Sequence, residues 1–120
     1  KAEDYYHRSL AYRQLQQYQV ALEDCNQAID LKPDLAPAYN HRGNLSVDMG
    51  DYHSAIENYN LAIQLDPNFV IAYNNRGVAY SKLNQYQKAQ KSYDMAIQLN
   101  PNYTKAIQNR AKIPSFPEIF

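Results

Sequence analysis

The sequence predicts an all-α protein in which helix–turn–helix units repeat along the chain and stack into a solenoid. Two observations lead to this prediction. The hexapeptide AYNHRG at residues 38–43 returns as AYNNRG at residues 72–77. Prolines follow the similar segments AIDLK, AIQLD and AIQLN at a constant spacing of 34 residues, as Pro33, Pro67 and Pro101. A fixed period of this length is typical of stacked helical repeats.

The third unit, residues 70–103, shows how one repeat folds. Tyr73, Gly77 and Tyr80 are spaced by four and three residues, so they share one face of a first helix. A second amphipathic stretch begins at Tyr86 and ends before Pro101, because proline cannot donate a backbone hydrogen bond. The same reading of the whole chain predicts helices at Glu3–Leu15, Tyr18–Leu31, Pro37–Met49, Tyr52–Leu65, Ile71–Leu83, Tyr86–Leu99 and Thr104–Lys112.

These helices divide a single domain, residues 1–120, into units at about 2–35, 36–69 and 70–103. One helix pair cannot bury its apolar face alone, so neighbouring units must stack and share a core. Residues 104–112 match the beginning of a fourth unit, and Pro114 prevents a normal partner helix, which predicts a capping helix.

Glycines mark two positions in the repeat. Gly50 stands where the second unit needs a left-handed backbone after its first helix, and Asn84 is a tolerated substitute in the third. Gln16 takes this position in the first unit, where a residue with a β-carbon is mildly strained. Gly43 and Gly77 occupy an inner slot that lets paired helices approach, while tyrosines fill the space beside them.

The order of aromatic, small and proline residues resembles that of tetratricopeptide repeat proteins. The resemblance covers nearly the whole chain, and it implies a right-handed superhelical solenoid whose first helices line a concave face. Departures are tyrosine in place of the usual tryptophan, Ser46 and Cys25 in place of aromatic residues, and arginine where leucine is common. In the third unit the matching residues are Tyr73, Gly77, Tyr80, Ala89, Tyr93, Ala96 and Pro101.

The recurring arginines, Arg8, Arg42, Arg76 and Arg110, stand beside the core. We interpret them as structural, with stems packed between helices and guanidinium groups bonded to loop carbonyls or to acids such as Asp24. The alternative is a positive stripe for an acidic peptide.

Composition limits the classes of function. Twelve acidic residues balance twelve basic ones, so the chain lacks the excess positive charge of a nucleic-acid-binding surface. The longest apolar run, residues 69–73, is too short for membrane insertion. Cys25 is the only cysteine, so no disulfide can form within the chain, and we expect a cytoplasmic location. The chain begins with lysine rather than methionine, and we interpret it as a fragment or a processed chain.

The sequence offers no catalytic motif, no cofactor-binding motif and no metal-ligand spacing, so we do not expect an enzyme. His7 and His41 share one slot on adjacent units, but no third metal ligand of suitable type is evident beside them, and we expect both at the surface. We expect Cys25 to be a buried, unreactive thiol.

In tetratricopeptide repeat proteins the concave face usually holds an extended peptide or a partner helix, which implies a set of groove residues here. Asparagine dominates this set, and its amide can both donate to and accept from the backbone of a peptide of any sequence. The run His7, His41, Asn75 and Asn109 resembles the asparagine ladder in the repeat region of O-linked N-acetylglucosamine transferases. The alternative is a solvated polar face without a ligand. The groove residues carried over are Tyr6, His7, Leu10, Asn40, His41, Asn44, Asn74, Asn75, Val78, Lys82, Lys105 and Asn109.

One subtype of the family, the co-chaperones that bind the C-termini of heat-shock proteins, uses a carboxylate clamp of lysine, asparagine and arginine. Counted from the second unit, Asn44, Asn75 and Lys105 match that clamp, whereas Asn40 and Asn109 replace cations. We therefore do not expect a dedicated receptor for chaperone tails.

The leading hypothesis is a protein–protein interaction module that binds an extended peptide of a partner in its groove. Two alternatives remain: a self-assembly element, or the accessory repeat region of a larger enzyme such as a glycosyltransferase. The tail, residues 113–120, contains two prolines and four large apolar residues, which predicts an extended path. We expect it to cover the open face of the last helix and bury Phe116; the alternative is self-association through a neighbour's groove.

Overall fold

The computed structural model describes residues 1–114, and this part of the chain consists of α-helices joined by short turns and loops, without a strand. The helices confirm the predicted all-α repeat architecture. Counted in chain order, the second, fourth and sixth helices have the predicted bounds. The first, third, fifth and seventh helices end one residue earlier than predicted. The seven helices within the described residues are α1 Ala2–Gln14, α2 Tyr18–Leu31, α3 Ala36–Asp48, α4 Tyr52–Leu65, α5 Val70–Lys82, α6 Tyr86–Leu99 and α7 Thr104–Ala111.

The helices stack in chain order. Each repeat pairs its two helices, α1 with α2, α3 with α4, and α5 with α6, and each second helix also contacts the next first helix. The first helices α1, α3, α5 and α7 touch one another side by side. This arrangement places the first helices on one face of the stack, where they form the predicted lining.

Within a repeat, glycine and tyrosine fit together as predicted. A β-carbon built on Gly43 would lie 2.5 Å from Cε1 of Tyr59, and one built on Gly77 would lie 2.7 Å from Cδ1 of Tyr93. Tyr59 and Tyr93 are almost completely buried. Each ring therefore fills the space that the missing side chain leaves in the facing helix.

The first tyrosine of a repeat fixes the loop before it. The hydroxyl of Tyr39 donates to the carbonyl of Pro33 at 2.8 Å, and that of Tyr73 donates to Pro67 at 2.9 Å. The guanidinium of Arg42 lies 5.3 Å from the centre of the Tyr39 ring, within the range of a cation–π contact.

The arginines are structural, as interpreted from the sequence, but their partners are side-chain oxygens rather than loop carbonyls. Arg8 makes two 2.7 Å hydrogen bonds to Asp24. Arg76 donates to Ser92 in its own repeat and to Asn60 in the preceding one, both at 3.0 Å. Arg8 thus joins α1 to α2, and Arg76 joins the second helices α4 and α6.

The three turn residues have the predicted left-handed backbone, with φ of 60° at Gln16, 80° at Gly50 and 59° at Asn84. Cys25 is buried, as expected, and burial raises the pKa of its thiol to about 11. None of the helices among residues 1–114 is long and apolar enough to cross a membrane.

The capping helix α7 is present, with Ala106 fully buried in the last core cluster. Ile113 packs against the same cluster. The predicted burial of Phe116, and the rest of the tail from residue 115 onward, lie outside the described residues.

Candidate functional site

The concave face contains three depressions that follow one another along the stack. The first has a volume of about 330 Å³ and is lined by Leu10, Arg13 and Asp48 among others. The second, of about 180 Å³, shares Arg13 with the first and Val78 with the third. The third, of about 320 Å³, lies between α5, α6 and α7. Because adjacent depressions share lining residues, they lie in one row, here called the groove.

Asparagine amides cross-link the first helices along this groove. Asn75 donates to the side-chain oxygens of Asn40 and Asn44, both at 3.2 Å, and Asn109 donates to Asn74 at 3.1 Å. The hydroxyl of Tyr59 donates to Asn44 at 2.6 Å. Within residues 1–114 these bonds use Asn44 only as an acceptor and Asn75 only as a donor. Both line the central depression, so each retains complementary hydrogen-bonding capacity for a ligand.

Three of the predicted groove residues are buried, which corrects the expectation that their side chains face solvent. Asn40 is 9% exposed, Asn74 is 4% exposed and His41 is 2% exposed. For the two asparagines the reason is the register of the stack. Asn40 and Asn74 each bond to a residue 35 positions later on the neighbouring first helix, and each is more buried than that partner. These side chains support the groove floor.

His41 is held by the first repeat. Ser9 donates its hydroxyl hydrogen to the carbonyl of Ala21 at 2.6 Å, so at 2.8 Å it accepts from Nε2 of His41. This assigns the proton of the neutral ring to Nε2 and leaves Nδ1 buried without a partner among the described residues. Burial is the main cause that lowers the pKa of His41 to about 4, and Arg13 lowers it further. The expectation of a surface histidine was therefore wrong at this position.

The other predicted groove residues lie at or near the surface. Tyr6 is half-buried, with its ring 5.8 Å from that of His41 in an edge-to-face arrangement. His7, Lys82 and Lys105 are exposed. The remaining ones line the three depressions: Leu10 the first, Asn44 and Asn75 the second, Asn109 the third, and Val78 the second and third.

An ion pair in the groove was not among the predicted site residues. Arg13 on α1 makes bonds of 2.6 and 3.3 Å to Asp48 on α3, and the shorter hydrogen bond is the main cause of the raised pKa of Arg13. This pair has the same 35-residue separation as Asn40 and Asn75, which the 34-residue period of the sequence does not indicate. The pair lies between the first and second depressions.

The clamp positions lack two of the clamp's charges. Asn44 and Asn75 are in hydrogen-bond contact, and Lys105 is exposed on α7. Asn40 is buried and accepts from Asn75, and Asn109 bonds to Asn74. Positions 40 and 109 therefore carry amides where the clamp has cations.

Family models match most of the chain. The model described as TPR repeat matches residues 43–84, and two models described as Tetratricopeptide repeat match residues 2–35 and 70–103. The sequence has no match among the curated proteins compared with it.

Solved structures with the same fold cover nearly the whole chain. The first TPR of Spaghetti (RPAP3), bound to the HSP90 peptide SRMEEVD, is 25% identical with a TM-score of 0.91, over 94% of this chain and 90% of that one. The TPR domain of Arabidopsis OM64 is 23% identical with a TM-score of 0.91, over 93% of each chain, which shows the fold alone. MamA is 30% identical with a TM-score of 0.82, over 88% of this chain and 61% of that one.

Proposed function

Because this chain belongs to the tetratricopeptide repeat family and is a protein-interaction module, we propose that its concave groove binds an extended peptide segment of a partner protein. The observation that carries the proposal is the row of three depressions with Asn44 and Asn75 in the central one. An extended backbone presents donors and acceptors along its length, and the unused capacities of these two amides complement them.

The form of the groove fits an extended ligand. Three shallow depressions in a row accommodate several side chains of one segment, whereas a small metabolite requires an enclosed pocket. The similar structure of the first TPR of Spaghetti (RPAP3) contains a bound HSP90 peptide, which supports peptide binding as the type of interaction. The amides at positions 40 and 109 argue for a ligand other than a chaperone tail.

A display library of random twelve-residue peptides, selected on the immobilised chain, would identify binding sequences. We expect the selected peptides to lose at least about tenfold in affinity when Asn44, Asn75 and Asn109 are replaced by alanine together, since each lost hydrogen bond costs about 0.5–1.5 kcal/mol. The matched control replaces Gln64, Gln90 and Gln98, three exposed amides on the second helices, by alanine. Equal affinity of the groove variant and the control variant would refute binding in the groove.

A further inference from the structure

Charge is distributed unevenly along the groove. Neither α5 nor α7 contains an acidic residue, whereas α1 begins with Glu3 and Asp4. Lys82 and Lys105 are exposed, and so is Lys112 directly after α7. Within residues 1–114 none of these three lysines forms an ion pair. Positive charge therefore collects at the α5–α7 end of the groove.

At the α1–α3 end of the groove, acidic residues form ion pairs with basic residues of the same chain. Asp48 in the second repeat occupies the position equivalent to Lys82 in the third, and Asp48 forms an ion pair with Arg13. Glu3 on α1 pairs with Lys32 at 3.2 Å. Both of these acids are compensated by a cation, whereas the three lysines near α5 and α7 have no ion-pair partner within residues 1–114.

Apolar surface lies next to these cations. The third depression, of about 320 Å³, is lined by Val78, Tyr93 and Ile113, with Lys82 and Lys112 in the same lining. Its volume accommodates one large side chain. A ligand that fits it presents an apolar group flanked by negative charge.

We propose that this depression, here called the α5–α7 subsite, recognises an acidic segment of a partner protein that carries a large apolar side chain between its carboxylates. The apolar side chain enters between Val78 and Ile113, and the carboxylates lie against Lys82 and Lys112. The proposal rests on the proposed function of the groove, since it specifies which peptides that groove prefers.

The subsite binds side-chain carboxylates and does not require a free C-terminus in the ligand. Lys82 and Lys112 lie outside the clamp positions, and the clamp positions 40 and 109 hold amides in place of cations. A terminal carboxylate would therefore find no cation at positions 40 and 109 with which to form an ion pair. Acidic side chains within a segment can instead contact the exposed lysines. A peptide blocked at both ends should bind as well as one with a free terminus.

Fluorescence polarisation with three dye-labelled peptides, blocked at both ends, tests the subsite on the full chain. The acidic probe is GSDEFEDSG, and its counterparts are the basic GSKKFKKSG and the alanine-containing GSDEAEDSG. We expect the acidic probe to bind best, to lose about tenfold without its phenylalanine, and to weaken as ionic strength rises. Equal binding of the acidic and basic probes would overturn the proposal.

Replacing Lys82 and Lys112 together by glutamine should weaken the acidic probe about fivefold, since each is an exposed charge contact. The matched control replaces Lys1 and Lys91, two exposed lysines outside the subsite, and should change the affinity less than about twofold. Equal losses in both double variants would assign the effect to net charge and overturn the subsite. Peptides selected from the random library that need Asn44 and Asn75 but show no acidic preference would refute only this subsite.

Light scattering of the free chain identifies a competing occupant. A dimer that the Lys82 and Lys112 replacements convert to a monomer would assign the subsite to a second copy of the chain and overturn the proposal. A mass that does not change between the wild type and this variant supports it.

Discussion

His41 is buried at the contact between the first two repeats, and its titration therefore affects how stably they pack. Its ring is 2% exposed, its Nε2 bonds to Ser9, and its Nδ1 has no partner among the described residues. A proton added at Nδ1 would place a charge in the interior, where Nδ1 has no hydrogen-bond partner among the described residues and Arg13 is close. Folding therefore favours the neutral ring.

The sign of the pH dependence follows from this lowered pKa. The unfolded chain takes up a proton at His41 near pH 6.5, whereas the folded chain does so at about pH 4. The contribution of the neutral His41 ring to the free energy of unfolding is fully present above pH 6.5 and decreases as the pH falls below that value. The loss is at most about 3 kcal/mol and is complete below about pH 4.

Urea denaturation at several values between neutral pH and about pH 5 measures this loss. The variant His41→Asn, which carries the residue found at the equivalent position of the third repeat, should show a smaller decrease over the same range. The two histidines that remain in this variant, His7 and His53, are exposed and serve as the internal control. Parallel curves for the two chains would contradict the assignment of the buried neutral ring.

Gln16 gives a second prediction at the scale of one residue. Its φ of 60° is in the left-handed region, where glycine has no steric penalty. Gln16→Gly should stabilise the chain by roughly 0.5–1 kcal/mol, measured as a higher urea midpoint. Gln17→Gly is the control, because Gln17 has a φ of −95° and gains nothing from glycine. Destabilisation by Gln16→Gly would show that the turn is held in another way.

At the scale of the helices, pairing depends on the fit between a glycine and a tyrosine. Gly77→Ala should stabilise α5 by about 1 kcal/mol through its higher helix propensity. The added β-carbon would, however, clash with the ring of Tyr93. We expect a net destabilisation of about 1–3 kcal/mol, as for other overpacked cores. A double-mutant cycle with Tyr93→Leu checks the cause, since the smaller side chain should relieve much of the cost. Additive effects would place the strain elsewhere.

The repetition of the sequence explains which elements could be predicted. Each slot appears in several copies, so the helices, the left-handed turns and the glycine–tyrosine pairs could be inferred from aligned positions. The contacts between repeats could not. Several of them join first-helix residues 35 positions apart, one more than the period, so equivalent residues do not face each other. This one-residue offset joins Asn40 to Asn75 and Arg13 to Asp48.

At the scale of the whole molecule, the stack has an open end at α7. Ile107 is 39% exposed there, and Ile113 already packs against the last core cluster. The tail is apolar enough to cover that end, with roughly 1.5–3 kcal/mol available from one buried phenylalanine. A chain that ends at Lys112 should therefore melt at a lower temperature and keep the same oligomeric state. A dimer that becomes a monomer without destabilisation would instead place the tail in a neighbour's groove.

Peptide binding on the face formed by the first helices can be tested by amide NMR of the isotope-labelled chain, titrated with a peptide selected from the random library. We expect the largest changes in chemical shift at the groove residues Leu10, Asn44, Asn75, Val78 and Asn109. Changes concentrated on α2, α4 and α6, with these groove signals unmoved, would contradict it.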